Sequence, residues 1–310
     1  MPELKIYGLI GYPVKHSLSA VMHNAVFKHL DINAEYRLFE VKPEDLEDFL
    51  INPSRQVVDT QGNKILAINI EGFNITIPHK IKAREILRRK FPDCVLDPFM
   101  HPPSDEISGA INTVRRDYRD NSLSYCNTDL WGFVESLAKD LQFATPAKSV
   151  MVMGCGGAGR VAIAGLGWPA RFIKKIFVYD RDQTAVARAR SHFAYLADKV
   201  EFVSFKDMPA AIASCQLLVN ATPQGMTHAD LSPVDKSLLH KGLSVYDVVY
   251  NRKTKLLEDA VSLGLPACSG LGMLLYQGVL AFQHWTGRLL NNTDIAIMRQ
   301  ALEEAMKQNA

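Results

Sequence analysis

The stretch SVMVMGCGGAGRVAIAGL, residues 149–166, decides the fold. Its first six residues form a short apolar run ending on glycine, the pattern of a buried strand. Gly154-Cys155-Gly156-Gly157-Ala158-Gly159 then matches GxGxxG, and Arg160 to Leu166 has the composition of a helix. In a strand–loop–helix of this kind the first glycine makes the tight turn and the second lets backbone approach a pyrophosphate. The third allows helix to pack closely on strand, with the phosphates at the helix N-terminus. A glycine-rich turn can also be purely structural. The context favours dinucleotide binding through Gly154, Gly156, Gly157, Ala158 and Gly159. An acid, Asp180, stands about twenty residues on, at the end of the next apolar run, where a ribose 2′-hydroxyl is read. Cys155 reads as a small apolar filler rather than a reactive thiol.

Around this stretch the chain alternates. Further strand candidates lie at 174–180, 200–205, 216–222 and 243–249, with helical stretches between them. Such alternation implies parallel pairing with right-handed crossovers. Upstream, LKIYGLIG (4–11) reads as a buried strand and residues 18–30 as a helix, with Ser17 or Ser19 placed to cap it. AEYRLFEV (34–41) is a second strand, and Pro43 opens a second helix. KILAINI (64–70) and FNITIP (73–78) read as strand with a break at Gly72, and a basic helix follows from His79 to Lys90. AINTVRRD and SLSYCN, joined by YRDN, have the pattern of a hairpin. From about Leu271 the chain is helical to its end. The expected fold class is α/β. An N-terminal α/β substrate domain covers 1–128, and a doubly wound, Rossmann-type dinucleotide-binding domain covers 129–270. The C-terminal helices, 271–310, pack back on the first domain and complete it.

Composition sets the outer limits. A length of 310 residues suits two domains, and 47% hydrophobic content excludes a disordered chain. With 35 basic against 33 acidic residues, charge gives no reason to expect nucleic acid or an anionic membrane as partner. No apolar run reaches the ~18 residues of a membrane-spanning helix, and MPELKIYGLIGYPVKHS lacks the order of a secretory signal. The five cysteines (Cys94, Cys126, Cys155, Cys215, Cys268) form no CxxC pair, which argues for a reduced, cytoplasmic setting. The histidines hold no HExxH, so no metal is expected. The expected partner is a small-molecule substrate, and the expected state a monomer or homodimer.

Polar residues interrupt several apolar segments: Ser17 and Ser19, Asn74, Thr76 and Lys80, Asn112, and Asn127-Thr128-Asp129. Singly, each has an ordinary reading. The serines or Asp129 would cap a helix, Asn112-Thr113 would form a turn, and Lys80 would be a solvated lysine at a helix start. Together they suggest a site for a polyhydroxy acid, in which hydroxyls and amides bind hydroxyls and a carboxylate. Lysine and aspartate make a proton-transfer pair, since a nearby carboxylate keeps a lysine charged and aimed.

The same residues carry a resemblance. The chain resembles the shikimate/quinate dehydrogenase family through motifs in family order along nearly its whole length: HSLSAVMHN, GFNITIPHK, GAINTV, CNTDLWGF, MGCGGAGR, NATPQGM, DVVYN and GLGMLLYQG. The resemblance implies an oxidoreductase of aromatic amino acid biosynthesis. Its reaction interconverts shikimate, quinate or both with the 3-dehydro ketone, by hydride transfer to or from a nicotinamide cofactor. It implies that Ser17 and Ser19 hold the substrate carboxylate, that Thr76 and Lys80 act on the substrate, and that Lys80 is catalytic. Asn112 and Asp129 would contact ring hydroxyls, with Asp129 paired to Lys80. Asn74, Tyr250 and Gln277 would line the same pocket, and Thr222 and Met273 would lie near the nicotinamide.

The chain departs from the family in places. DPFMHPPSDEIS (97–108) stands where members carry an acidic helix with a Leu-Thr start, Ala20 replaces a proline, and Arg252 and Lys255 replace prolines after DVVYN. NADP-using members tend to read Asn-Arg-Thr where this chain reads Asp180-Arg181-Asp182. The two acids favour NAD, with NADP also used; Arg181, with Lys174 and Lys175 nearby in sequence, pulls toward a 2′-phosphate. One alternative is a non-catalytic dinucleotide-binding regulator on the same fold, which would not need Lys80 and Asp129. Another is a quinate- or aminoshikimate-preferring member. A third is a different Rossmann enzyme, such as a methylenetetrahydrofolate or hydroxyacid dehydrogenase, against which HSLS and NITIPHK speak.

Overall fold

The apolar runs at the start of the chain build one mixed sheet. The computed structural model describes residues 3–93, 103–117, 119–143, 146, 149–168 and 173–308. Cys94, Tyr118 of the YRDN stretch, Thr145 and the proline-rich positions 97–102 lie outside the described residues. The chain divides into two units, one of Met1–Thr128 with Gln277–Gln308 and one of Asp129–Tyr276.

In the first unit the order is β1 (Lys5–Gly11), α1 (Ser19–His29), β2 (Ala34–Glu40), α2 (Leu46–Ile51), β3 (Gln56–Val58), β4 (Lys64–Leu66), β5 (Ile70–Ile75), α3 (Lys80–Lys90), α4 (Ser104–Ser108), β6 (Thr113–Arg116) and β7 (Leu123–Cys126). The sheet runs β2-β1-β5-β6-β7. β1 pairs in parallel with β2 and β5, whereas β5–β6 and β6–β7 are antiparallel. β1 sits inside the sheet and is buried at every residue but Lys5, as its unbroken apolar run requires. The core on one face joins Ile6, Ile10, Phe73, Ile75 and Val114 to Phe49 of α2 and Ile86 and Leu87 of α3.

Gly72 does not break the strand. It lies within β5, although the pairing with β1 shifts register just before it, between Ile70 and Gly72, and a Cβ there would overlap the indole of Trp285. The interruption falls earlier, at a 3-10 turn over Ala67–Asn69, and β4 leaves the sheet to pair with β3 as a separate antiparallel ribbon.

In the second unit the order is α5 (Thr128–Lys139), β8 (Ser149–Met153), α6 (Gly157–Gly167), β9 (Lys175–Tyr179), α7 (Gln183–His192), β10 (Val200–Phe202), α8 (Met208–Ala213), β11 (Leu217–Asn220), β12 (Ser244–Asp247), α9 (Lys255–Ser262) and β13 (Ala267–Ser269). Its sheet runs β10-β9-β8-β11-β12-β13, with every pairing parallel. Renumbered from β8 that order is 3-2-1-4-5-6, the Rossmann order, with its reversal between β8 and β11. The chain ends in α10 (Leu271–Thr286) and α11 (Asn292–Gln308); α11 packs along α1. Among the described residues no helix is long and apolar enough to cross a membrane.

His23 of α1 is wholly buried in an aromatic cluster of the first unit. Its ring stacks on Tyr36 at 4.5 Å and tilts against Trp285 at 5.3 Å, and neither ring nitrogen has a hydrogen-bond partner among the described residues. Burial lowers its pKa to about 3. In the unfolded chain the ring takes a proton below about pH 6.5, while in the folded protein it stays neutral. The unfolded state therefore binds more protons between these values, and stability falls as pH falls, by at most about 1.4 kcal/mol per pH unit. His23→Phe, which keeps the ring without the nitrogens, flattens the decline of Tm between about pH 6 and pH 4. An unchanged slope in the variant would remove His23 from the acid sensitivity.

Candidate active site

The polar residues of the first unit gather where β1 and β5 end and β6 begins. Asn74 is next to last in β5 and buried. Its Nδ2 donates to the Asn112 carbonyl at 3.1 Å and to Thr113 Oγ1 at 3.0 Å, and its Oδ1 accepts from the Tyr36 hydroxyl at 2.8 Å. Asn112, just before β6, is equally buried. Its Nδ2 donates to Thr128 Oγ1 at 3.0 Å and Gln277 Oε1 at 3.3 Å, and its Oδ1 accepts the Thr128 N–H at 2.7 Å. Asn74, Asn112 and Gln277, three residues singled out in the sequence, thus form one hydrogen-bonded network. Tyr36, Thr113 and Thr128 complete it.

Thr76 follows β5 and stands half-buried, and its carbonyl accepts the His79 N–H at 3.0 Å. His79 is held by Nε2 against the Val41 carbonyl at 2.6 Å and precedes Lys80, the first residue of α3. The Lys80 carbonyl accepts the Ile111 N–H at 3.1 Å, which ties the start of α3 to the segment that carries Asn112 into β6.

Ser17 and Ser19 lie after β1. The helix-cap reading of these serines fails. Leu18 is the N-cap residue of α1, and no side chain caps it. The two hydroxyls instead lie 3.2 Å apart, and Ser17 Oγ accepts the Ser19 N–H at 3.3 Å.

In the second unit the glycine motif has the form its spacing predicts. Gly154 turns at φ +91°, and its N–H donates to the Tyr179 carbonyl at 2.7 Å. A Cβ on Gly159 would overlap the Gly154 carbonyl, so helix and strand can meet this closely only at glycine. At Gly156, the N-cap of α6, a Cβ would meet no protein atom within 4 Å. That open backbone at a helix N-terminus fits a pyrophosphate, and Gly157, Ala158 and Gly159 supply the first turn behind it. Cys155 is buried; burial, with the charge of Asp180 adding to it, pushes its thiol up to about 12, as suits an inert filler.

Asp180 follows β9 beside this turn. Its Oδ2 accepts the Cys155 N–H at 2.9 Å and its Oδ1 the Asp182 N–H at 2.9 Å. Asp182 caps α7 through the Thr184 N–H at 2.8 Å. Arg181 between them is exposed, while Lys175 is paired with Glu201 at 2.8 Å.

Thr222 stands across from the glycine turn: a Cβ on Gly154 would lie 3.1 Å from its methyl. Its Oγ1 donates to Asn220 Oδ1 at 2.7 Å, and Asn220 Nδ2 donates to Asp247 Oδ1 at 2.9 Å. Asp247 Oδ2 accepts the Thr254 hydroxyl at 2.6 Å, and burial pushes this carboxyl up to about 6. Reading the sequence did not single out Asn220, Asp247 or Thr254. The signal was present as an asparagine and an aspartate in otherwise apolar strands.

Asp129 is the second residue of α5 and buried, Tyr250 follows β12 half-buried, and Met273 is buried in the first turn of α10. The two non-proline positions after DVVYN have local partners. Arg252 donates to the carbonyls of Gly225 at 3.2 Å and Thr227 at 2.9 Å, and Lys255 pairs with Asp259 at 2.7 Å.

Comparison with known proteins covers both units. The family profile "Shikimate dehydrogenase substrate binding domain" matches residues 9–93, and "Shikimate 5'-dehydrogenase C-terminal domain" matches 270–303. The shikimate dehydrogenase (NADP(+)) of Methanopyrus kandleri is 34% identical, over 98% of this chain and 97% of its own length. The shikimate 5-dehydrogenase of Thermus thermophilus, solved with NADP(H) and shikimate, is similar at TM-score 0.76 and 28% identity, covering 97% of this chain and 99% of that one. The enzyme of Listeria monocytogenes, solved with shikimate and NAD, is similar at TM-score 0.76 and 28% identity, covering 97% of each chain. The motifs seen in the sequence and the full-length match agree, and the chain belongs to the shikimate/quinate dehydrogenase family.

Proposed function

We propose that this protein interconverts the ring alcohol of shikimate with the corresponding 3-dehydro ketone, using a nicotinamide dinucleotide. The full-length relationship to the shikimate dehydrogenase of M. kandleri carries this reading. A buried hydroxyl-and-amide network in the first unit and an open glycine turn in the second support it. The dinucleotide, when bound at the turn formed by Gly154, Gly156, Gly157, Ala158 and Gly159, supplies or accepts a hydride. Residues 1–128 with the C-terminal helices hold the substrate, and 129–270 hold the dinucleotide.

The rest is the work of this chain's side chains. Ser17 and Ser19 donate their hydroxyls to the substrate carboxylate. Thr76, Asn112, Gln277 and Tyr250 receive ring hydroxyls, and Asn74 positions Asn112. In the reducing direction the Lys80 ammonium gives a proton to the ketone oxygen, and in the oxidising direction its neutral amine takes the hydroxyl proton. Asp129 contacts a ring hydroxyl and keeps Lys80 aimed. Thr222, held by Asn220 and Asp247, and Met273 face the nicotinamide.

For the cofactor we propose NAD ahead of NADP. Asp180 keeps a carboxylate at the end of β9, where it accepts from a ribose 2′-hydroxyl and repels a 2′-phosphate. Like charges ~4 Å apart cost ~4 kcal/mol near a protein surface and ~1 in bulk water. The competing reading is NADP use. It is favoured by exposed Arg181, by Asp182 serving as a helix cap, and by the cofactor named for the M. kandleri relative. Asp180→Asn raises kcat/KM for NADP and lowers it for NAD, while Arg181→Ala lowers it for NADP alone. A wild-type enzyme faster with NADP at equal low concentrations assigns control to Arg181.

Lys80→Ala lowers kcat by ~10²–10⁴-fold with KM for shikimate within an order of magnitude. Asp129→Ala lowers kcat and raises KM together. Weakened binding with unchanged turnover in Lys80→Ala would assign the proton to another group.

Ser17→Ala and Ser19→Ala each raise KM for shikimate by about 10–100-fold, the weight of one hydrogen bond to a charged group. Tm moves little, because neither hydroxyl caps α1. A large drop in Tm with KM unchanged would return the serines to a structural role. Initial rates with shikimate, quinate and aminoshikimate rank the ring acids.

A further inference from the structure

The hydrogen bonds behind Thr222 end on a buried charge. Asp247 is the last residue of β12 and is wholly buried. Its Oδ1 accepts from Asn220 Nδ2 at 2.9 Å and from the Val249 N–H at 3.1 Å, and its Oδ2 accepts the Thr254 hydroxyl at 2.6 Å. None of these donors carries a charge. Burying a carboxylate without a cation is costly, and the three hydrogen bonds oppose that cost only in part, so the carboxyl is pushed up to about 6. At neutral pH it is still mostly ionised. The fold alone gives no reason for the charge. An asparagine of the same shape would accept the same two N–H bonds and donate to Thr254.

Two hydrogen bonds join this carboxylate to the dinucleotide side of the sheet. Asn220 ends β11, the neighbour of β12, and turns its Nδ2 to Asp247. Its Oδ1 accepts both the Thr222 N–H at 3.1 Å and the Thr222 hydroxyl at 2.7 Å. Thr222 stands across from the glycine turn, at the carboxyl ends of β8 and β11, where this strand order receives a dinucleotide. The other charged groups on the elements around Asp247 are engaged elsewhere. Arg252 is held by the Gly225 and Thr227 carbonyls with His228 beside it, and Lys255 of α9 pairs with Asp259. On β13 the residue opposite Asp247 is Ser269, and burial keeps the Cys268 thiol neutral. The oxidised nicotinamide ring is positively charged and the reduced ring is neutral. A carboxylate shielded from water therefore tells the two apart.

We propose that Asp247, buried without a cation and joined through Asn220 to Thr222, biases the bound dinucleotide toward its oxidised form; this rests on the function proposed above. Asp247 acts through Asn220 and Thr222 and across the protein between. In the reducing direction, departure of the hydride leaves a positive charge on the ring, and the carboxylate stabilises it.

The test is equilibrium binding of oxidised and reduced dinucleotide to the full chain at about pH 7.5, NAD against NADH and NADP against NADPH. Asp247→Asn raises Kd for the oxidised form relative to the reduced form by about 3–10-fold, the scale of one screened unit charge. A residue that only held the loop would move both constants together and leave their ratio alone. In the wild type the same ratio rises as pH is lowered from about 7.5 to about 5, because Asp247 takes up a proton near pH 6, and in the variant it is flat. Without dinucleotide, the Tm of Asp247→Asn at about pH 7.5 equals or exceeds that of the wild type. The folded pKa lies above the unfolded value, so the ionised form costs stability as pH rises. A ratio unchanged in Asp247→Asn would overturn the proposal and leave the proposed function standing. Should the variant not fold, a wild-type ratio flat from about pH 7.5 to about pH 5 overturns it in the same way. A wild type that binds neither pair overturns the proposed function as well.

Discussion

The side-chain amide of Asn112 is the constraint on which the first unit's site depends. It is buried, and both of its polar atoms are engaged: the donor by Thr128 and Gln277, the acceptor by Thr113 and Thr128. Asn74 holds the Asn112 backbone from β5 and is itself held by Tyr36 from β2. A buried polar group left without a partner costs about 1–3 kcal/mol, so each member keeps the others in one rotamer. Residues far apart in sequence are thereby fixed as one surface before any substrate arrives. That is the preorganisation a site for several ring hydroxyls needs.

The second unit reaches the same end by leaving side chains out. Gly154 must turn at positive φ and Gly159 must let α6 approach β8, while Gly156 leaves backbone bare. The turn is then held by a charged residue rather than by packing. Asp180 accepts from Cys155 inside the turn and from Asp182 beyond it. The carboxylate proposed to read the ribose therefore also sets the shape of the loop that would cradle the phosphates. Cofactor choice and loop geometry are coupled through one residue.

Much of this was legible in the sequence. Long apolar runs reported the strands of both sheets, because a strand buried on both faces has little room for polar residues. The glycine spacing reported its own turn, since the cause is local. What stayed hidden depended on residues distant in sequence. Gly72 looks like a strand break until Trp285 is seen lying on it. Ser17 and Ser19 look like helix caps, and only the backbone shows that Leu18 takes that position. β3 and β13 are three residues each, too short to show a period. Asn220 and Asp247 meet because β11 and β12 are neighbours, which no local pattern announces.

The indole of Trp285 also bears on how the chain is made. It fills the space over Gly72, stacks on Tyr7 and donates to the Val114 carbonyl at 2.9 Å, so the sheet built from the first 128 residues is covered by a residue near the other end. On a ribosome, the roughly 150 residues between them take on the order of 10–30 s at ~5–20 residues per second. During that interval the N-terminal sheet waits with an apolar face uncovered. The second unit is continuous in sequence, and its last strand, β13, is made before Trp285 is. The first unit is thus begun first and completed last.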